Sequence, residues 1–328
     1  MSNIEPLNSF EKIGDAAKRV VEKIGPTTAL PWDGKPITRP GIYANVPMSV
    51  YHGANLCDGP SVSSSGLRKI SNESPAHYFC GSPYNPTRVE PKDSDALTFG
   101  RAAHHLLLGE DDFNTHYIVR PDKWDSWRTD ASKQWKADQE SQGRTVLLPS
   151  QLDAIRGIAR SLAAHPLIDA GILNGGIERT IVWRCKDTGV WLKARPDAIP
   201  NDAGDFADLK TCVSVQTADI ARSIAEHGYH QQAALIAAGW HALTGRDISS
   251  FSFVFVEKQP PYCVRIVTLR DDDLARGERQ NFIAIKTFAD CMKSGEWPGP
   301  GGADAEYLSL PEWMQKRIDH QLEEAEAA

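Results

Sequence analysis

Residues 191–211 read WLKARPDAIPNDAGDFADLKT, from Trp191 to Thr211. Two strand-like runs, Val190–Ile199 and Phe206–Thr211, flank the turn formers Asn201-Asp202-Ala203-Gly204-Asp205. Alternate residues of a strand share a face. Asp208 and Lys210 therefore point one way, and Leu209 points into the core. Asp197 comes from the neighbouring strand and reaches the same point. Two carboxylates and an ammonium then converge at a sheet edge. Two hard oxygen donors suit Mg²⁺, which leaves room for a substrate phosphate. A nearby lysine can orient or help deprotonate a metal-bound water.

Working outward, Ile177–Cys185 is a strand, and Lys186-Asp187-Thr188-Gly189 supplies a hairpin turn into Val190–Ile199. With Phe206–Thr211 this reads as a three-strand meander. Residues 217–243 are helical with a break near Gly228. Two strands follow, Phe251–Glu257 and Tyr262–Leu269, separated by Pro260-Pro261. A long helix covers Asp271–Lys293. Upstream, a helix starts in Ser63-Ser64-Ser65-Gly66-Leu67 and breaks at Pro75; ALTFGRAAHHLLL (96–108) and Leu148–Ala164 are further helices. The pattern predicts an α/β chain with a mixed central sheet flanked by helices. An amphipathic helix is expected over 9–24, followed by a proline-rich linker at 26–40. The organisation expected is an N-terminal helix and linker (1–40), one elaborated domain (41–300) and an extension with an acidic tail (301–328).

At 328 residues the length prior is about two domains. The continuity of the pattern favours one. The net charge of −7 excludes a generic nucleic-acid coat, which is basic overall. The six cysteines are scattered without a C-x-x-C pair, so neither a disulfide framework nor structural zinc is expected. No signal peptide and no membrane-length apolar run is visible, and a cytoplasmic protein is expected.

Acidic-x-Lys alone carries little weight. By composition roughly two such triplets are expected by chance. Three occur: Asp33-Gly34-Lys35, Glu90-Pro91-Lys92 and Asp208-Leu209-Lys210. Only the last lies on an apolar strand behind a Pro-Asp strand end. The competing reading is a surface salt bridge. Several flanks could join the same point. His104 lies one helical turn after Gly100, and a helix glycine allows close approach of a ligand or backbone. Glu178 starts the first strand. Tyr229 and Gln232 enter the downstream helix and could hold a substrate backbone. Each also has a plain reading: a packed histidine, a solvent carboxylate, helix-capping polar groups.

Pro196-Asp197, a spacer and Asp208-Leu209-Lys210 resemble the core of the PD-(D/E)xK nuclease superfamily. The G-x-x-x-H helix and the glutamine-bearing helix resemble its RecB-type and lambda-exonuclease branch. Within that branch the chain resembles the RecE-type exonuclease VIII nuclease domain. That likeness rests on Pro40-Gly41-Ile42-Tyr43, Tyr51-His52, Val62-Ser63-x-Ser65-x-Leu67, Phe99 to His104, FNTHYIVRP from Phe113, Arg195-Pro196-Asp197, Asp208 to Thr211, Tyr229-His230-x-Gln232 and Leu308 to Trp313. The resemblance implies a PD-(D/E)xK restriction-endonuclease-like core. It implies that Asp197, Asp208, the Leu209 carbonyl and His104 hold metal, with Glu178 near it. Lys210 would position or activate water, and Gln232 and Tyr229 would contact substrate. Such enzymes often carry a tyrosine four residues after the glutamine; Ile236 stands there, so that role is not carried over.

The resemblance further implies a Mg²⁺-dependent exodeoxyribonuclease on linear double-stranded DNA ends, with Mn²⁺ an acceptable substitute and neither an iron–sulfur cluster nor a nucleotide cofactor. Digestion would run 5′ to 3′ and leave 3′ strands for a single-strand annealing recombinase. A homo-oligomeric ring, a tetramer, and a phage or prophage setting are also implied. Phosphate contacts require cations. Arg128 and Lys133, in the tryptophan-bearing 118–144 stretch, and Arg101 beside His104 are the candidates, and Lys193 and Arg195 alternate on the Pro-Asp strand. Two rivals stand: an endonuclease of the same superfamily, and a non-catalytic module that binds DNA ends or protein.

Overall fold

A computed structural model describes residues 29–88, 95–108, 113–200, 204–302 and 304–326. The expected helix over 9–24 lies outside them, as does the Glu90-Pro91-Lys92 triplet.

In chain order, β1 (Leu30–Pro31) and β2 (Gly41–Ala44) precede the one-turn helix α1 (Met48–Tyr51). Then come β3 (Ser61–Ser63), α2 (Ser64–Asn72) and α3 (Pro75–Cys80). The break at Pro75 is also a start: Ser74 accepts from the His77 N–H, and Pro75 sits where a helix needs no donor. Helix α4 (Asp95–Leu107) is followed by α5 (Phe113–His116), β4 (Tyr117–Val119), α6 (Asp130–Ser141), β5 (Thr145–Leu147), α7 (Pro149–Ala163) and α8 (Pro166–Asp169). Next are β6 (Gly176–Ile177), β7 (Thr180–Arg184), β8 (Trp191–Ala194), β9 (Ala198–Ile199) and β10 (Asp205–Cys212). The chain closes with α9 (Thr217–Glu226), α10 (Tyr229–Thr244), β11 (Ser250–Glu257), β12 (Val264–Thr268), α11 (Asp271–Ser294) and α12 (Glu312–Glu326).

The strands form a mixed α/β architecture. A five-stranded sheet has the order β1-β2-β7-β8-β3, and a three-stranded sheet the order β10-β11-β12. The hairpin β7–β8 forms through Gly189, whose φ of +72° suits a turn. The three-strand meander does not form. Strand β10 leaves the hairpin and pairs in parallel with β11, Asp208 opposite Phe253 and Lys210 opposite Phe255. The reason is burial. The run SFSFVFVE of β11 is apolar on both faces, so it occupies the centre of its sheet between two neighbours. The expected strand 177–185 is also interrupted. Glu178 has φ +50°, outside the extended region, and divides β6 from β7. Part of the proline-rich stretch is integrated: Leu30–Pro31 pairs with β2 at a sheet edge, where a missing N–H costs nothing.

Two apolar layers enclose the three-stranded sheet. On one face Phe206, Phe251, Phe253 and Phe255 pack with Leu235, Ile236 and Phe288 of α10 and α11. On the other, Ala207, Leu209, Val254 and Val256 pack with Ala102, Leu106, Ile155 and Ile158 of α4 and α7. The hairpin's Ile181, Trp183 and Leu192 join the first layer, so both sheets share α10. Among the described residues no helix is long and apolar enough to cross a membrane.

Candidate metal centre

Strand alternation places Asp208 and Lys210 on the α10 face of β10 and Leu209 on the α4 face. Asp208 is 1% exposed, and its Oδ2 is ion-paired with Lys210 Nζ. Its Oδ1 accepts from Gln232 Nε2 at 3.0 Å. Lys210 Nζ also stands 4.9 Å from the centroid of the Tyr229 ring. Burial acts to lower the Lys210 pKa, but Asp208 and Asp197 outweigh it and hold the group above its ordinary value.

Asp197 follows Pro196 at the gap between β8 and β9, which breaks the single strand expected over 190–199. It is buried, and its Oδ2 accepts the Leu209 N–H at 2.5 Å. Its Oδ1 lies 3.5 Å from His104 Nδ1. Burial, and then the charge of Asp208, push the Asp197 carboxyl up to about 6. His104 comes from α4 on the opposite face, and its Nε2 lies 2.6 Å from the Leu209 carbonyl oxygen. Glu178 reaches the same place because its backbone bends out of the strand, where its N–H donates to the Asp197 carbonyl at 3.1 Å. His104, Glu178 and Asp197 each offer one ligand atom, all within 4.8 Å of one another. Asp208 is not in that trio; its oxygens are directed at Lys210 and Gln232. An added Cβ at Gly100 would sit 3.7 Å from Thr211 Oγ1, an ordinary contact. The helix glycine is therefore not required for close packing here.

Other predicted contacts are placed differently. Lys193 and Arg195 do not face a ligand. Lys193 is buried and donates to the Tyr51 carbonyl at 2.6 Å. Arg195 donates to Val46 O and Thr180 Oγ1, each at 2.7 Å, and lies 3.9 Å from Glu178 Oε2. Both cations lie over the Tyr51 ring. The cause is strand β8, whose two faces are both covered. Arg101 and Arg128 are exposed. Lys133 is exposed and ion-paired with Asp130 at 3.8 Å. Beside them Trp135 packs against Trp124 and Trp127, with Lys123 over Trp124 at 4.4 Å and Arg120 over Trp127 at 5.4 Å.

One residue near the site has no periodic or spacing signal in the sequence. Arg68 of α2 donates through Nε to Ser64 O and through Nη1 to His227 O. Burial lowers its pKa, while Tyr229 and Asp208 oppose that, so its charge acts on the site. Gly228, at φ +60°, makes room: an added Cβ would lie 2.9 Å from Arg68 Cδ. The nearest clue is the Ser63-x-Ser65-x-Leu67 stretch just before it.

A mixed sheet with a buried Pro-Asp carboxylate, an Asp-x-Lys strand and a helical histidine defines a PD-(D/E)xK-type centre. The profile of the "PDDEXK-like domain of unknown function (DUF3799)" family matches residues 63–311. The chain belongs to that family, and so to the PD-(D/E)xK nuclease superfamily. No curated protein matches the chain. A crystal structure from Eubacterium rectale, described as "Putative exonuclease", shares its fold with a TM-score of 0.53. The two are 16% identical, over 78% of this chain and 91% of that one.

The family implies a divalent cation, and the residues fit one. Two carboxylate oxygens are hard donors and one imidazole nitrogen is a borderline one, a mixed set that accepts a divalent cation with room left for water. The buried, mutually repelling carboxylates of Asp197 and Asp208 make a negative field that a cation would relieve.

Proposed function

We propose that this chain is a Mg²⁺-dependent exodeoxyribonuclease that degrades linear double-stranded DNA from its ends. Mn²⁺ would substitute. The observation that carries the reading is the convergence of His104, Glu178 and Asp197 beside the Asp208–Lys210 pair. His104, Glu178 and Asp197 would hold a cation there, which would supply an activated water and offset charge on the scissile phosphate. Asp208 and the Leu209 carbonyl complete its surroundings. Lys210, kept as an ammonium by its two carboxylate neighbours, donates to the attacking water or to a phosphate oxygen and does not remove a proton. Gln232 holds Asp208 in place and Tyr229 holds Lys210; both are the proposed contacts to a substrate backbone. Arg101, Arg128 and Lys133 are the proposed phosphate contacts.

The finer features rest on the RecE resemblance. They are 5′ to 3′ digestion, 3′ strands passed to an annealing recombinase in phage-type recombination, a ring-shaped tetramer around the duplex and a cytoplasmic setting. The test is a linear duplex labelled at either 5′ or 3′ end, with Mg²⁺ or with EDTA, beside a supercoiled circle. The reading expects metal-dependent release from 5′ ends only, an intact circle, and no release by Lys210→Ala or Asp208→Ala. Activity that survives those substitutions overturns it. Rapid nicking of circles points to an endonuclease. Metal-dependent binding without cleavage points to a non-catalytic module.

A further inference from the structure

Arg68 is a half-buried cation that pairs with no carboxylate among the described residues. Leu67 and Ile70 of α2 pack into the apolar layer on the α10 face of the three-stranded sheet, the face that carries Asp208 and Lys210. Helix α2 thereby delivers Arg68 to that face. The arginine stem lies along Gly228, where an added Cβ would come within 2.9 Å of Cδ and 3.2 Å of Cγ. Nε donates to the Ser64 carbonyl at 3.4 Å, and Nη1 donates to the carbonyl of His227, the C-cap of α9. Nη2 makes no hydrogen bond and is not sealed from solvent.

A guanidinium withdrawn from water is ordinarily matched by a carboxylate. Lys210 has Asp208, and Arg195 has Glu178 at 3.9 Å. Arg68 has two backbone carbonyls instead. Its charge is felt by Tyr229, Asp208 and Tyr51. Lys210 lies over the Tyr229 ring, and Tyr51 also feels the Glu178 carboxylate. Arg68 therefore stands between the Lys210 and Glu178 sides of the centre. Closing the end of α9 accounts for Nη1. It leaves the second terminal nitrogen unused, and the guanidinium fork suits a phosphate oxygen.

We infer that Arg68 donates through Nη2 to a non-bridging oxygen of a substrate phosphodiester held at this centre. It rests on the reading of the site as a nuclease centre, but needs binding and not cleavage. Arg101 comes from α4, on the opposite face of the sheet, so Arg68 meets the phosphate from the side that no other proposed contact covers. The same donor offsets charge that grows on the phosphate oxygens during hydrolysis.

Fluorescence anisotropy of a linear duplex with the full chain tests it, in Ca²⁺, which takes the same oxygen donors. Arg68→Gln binds about tenfold more weakly than wild type and lowers the slope of log K against log salt by about one. Arg68→Lys keeps the charge, so its slope is that of wild type. A duplex whose end linkages are neutral methylphosphonates is bound equally by wild type and Arg68→Gln, because the anion is gone. Replacing a 5′-phosphate by a 5′-hydroxyl leaves the effect of Arg68→Gln as it was. Arg68→Met, which keeps the stem against Gly228, is the second neutral variant, and circular dichroism melts establish which variants fold. A folded neutral variant that binds as wild type does overturns the inference. So does an effect that vanishes with the 5′-phosphate, which assigns Arg68 to the terminal group. Failure of both neutral variants to fold assigns the residue to the end of α9 and overturns it as well. A wild-type chain that binds the duplex and never cuts it in Mg²⁺ ends the exonuclease reading, and the binding measurements then decide Arg68 alone. A chain that binds no duplex overturns both.

Discussion

Asp197 and Leu209 are joined by a hydrogen bond of 2.5 Å from the Leu209 N–H to Asp197 Oδ2, which ties the Pro-Asp turn to the middle of β10. A strand edge that would otherwise present an open donor is closed by a carboxylate. Removing the acceptor strands a buried N–H, at a cost of about 1–3 kcal/mol. Asp197→Ala should therefore unfold at lower urea in EDTA. Asp197→Asn keeps an acceptor and removes a buried charge, so it should be at least as stable as wild type at pH 7.5. Equal losses in the two variants contradict this account.

The same carboxyl sets a pH dependence. Its folded pKa is raised to about 6 from an ordinary value near 3.8, so the native state holds the proton longer than the unfolded chain does. This contribution to metal-free stability falls as pH rises between those two values and is level above about 6. A cation needs the carboxylate. Calorimetry should show Mn²⁺ raising Tm at pH 7.5 and having little effect at pH 5. Equal shifts at both pH values would remove Asp197 from the donor set.

Lys210 rests on an aromatic ring. Its ammonium is 4.9 Å from the Tyr229 centroid, and Tyr229→Phe keeps that face. Under the nuclease reading, Tyr229→Phe should cleave linear duplex at near wild-type kcat. Tyr229→Leu should lose about tenfold in kcat with little change in KM. Steady-state rates separate these outcomes, and equal losses would assign the tyrosine's role to its hydroxyl.

Lys193 is a buried ammonium whose nearest polar partners are the Tyr51 and Gly53 carbonyls. Burial lowers its pKa to about 8. The charged native form is penalised below that pH, and the penalty lessens as pH rises from about 8 toward the ordinary lysine value. Lys193→Met should match or exceed wild-type stability at pH 7, with its advantage shrinking at pH 9–10. Urea titrations at the two pH values check the trend.

Helices α10 and α11 touch backbone to backbone at Gly277. A Cβ there would lie 2.5 Å from the His230 carbonyl oxygen, which cannot move aside as a side chain could. Asn281 donates to the adjacent Gln231 carbonyl at 2.8 Å. Gly277→Ala should cost about 1–3 kcal/mol in urea denaturation. Because Tyr229 and Gln232 begin α10, it should also lower Mn²⁺ affinity. A stable variant with unchanged affinity would uncouple the helix pair from the site.

What could be read from the sequence was local. Asp208 and Lys210 share a face because a two-residue period leaves no other choice, and Lys186 to Gly189 makes its turn in any context. The departure of β10 from the hairpin was not readable, since it depends on β11, some 40 residues on, being buried on both faces. Lys193 and Arg195 alternate as a surface strand does, yet the Tyr51 segment, more than 140 residues earlier, covers them. Arg68 meets the His227 carbonyl across 159 residues, and no spacing rule spans that distance. Glu178 reaches the site through a backbone angle, and glutamate has no preference that announces it.

The parallel pairing of β10 with β11 also fixes when the site can exist. Every proposed ligand has been synthesised once Lys210 has been made, but β10 has no ladder partner until Ser250–Glu257 follows through a two-helix crossover. Such non-local pairing is slow to form. A nascent chain stopped before Ser250 would carry all the donor groups and yet bind no Mn²⁺, so the protein stays inert until its synthesis is well advanced.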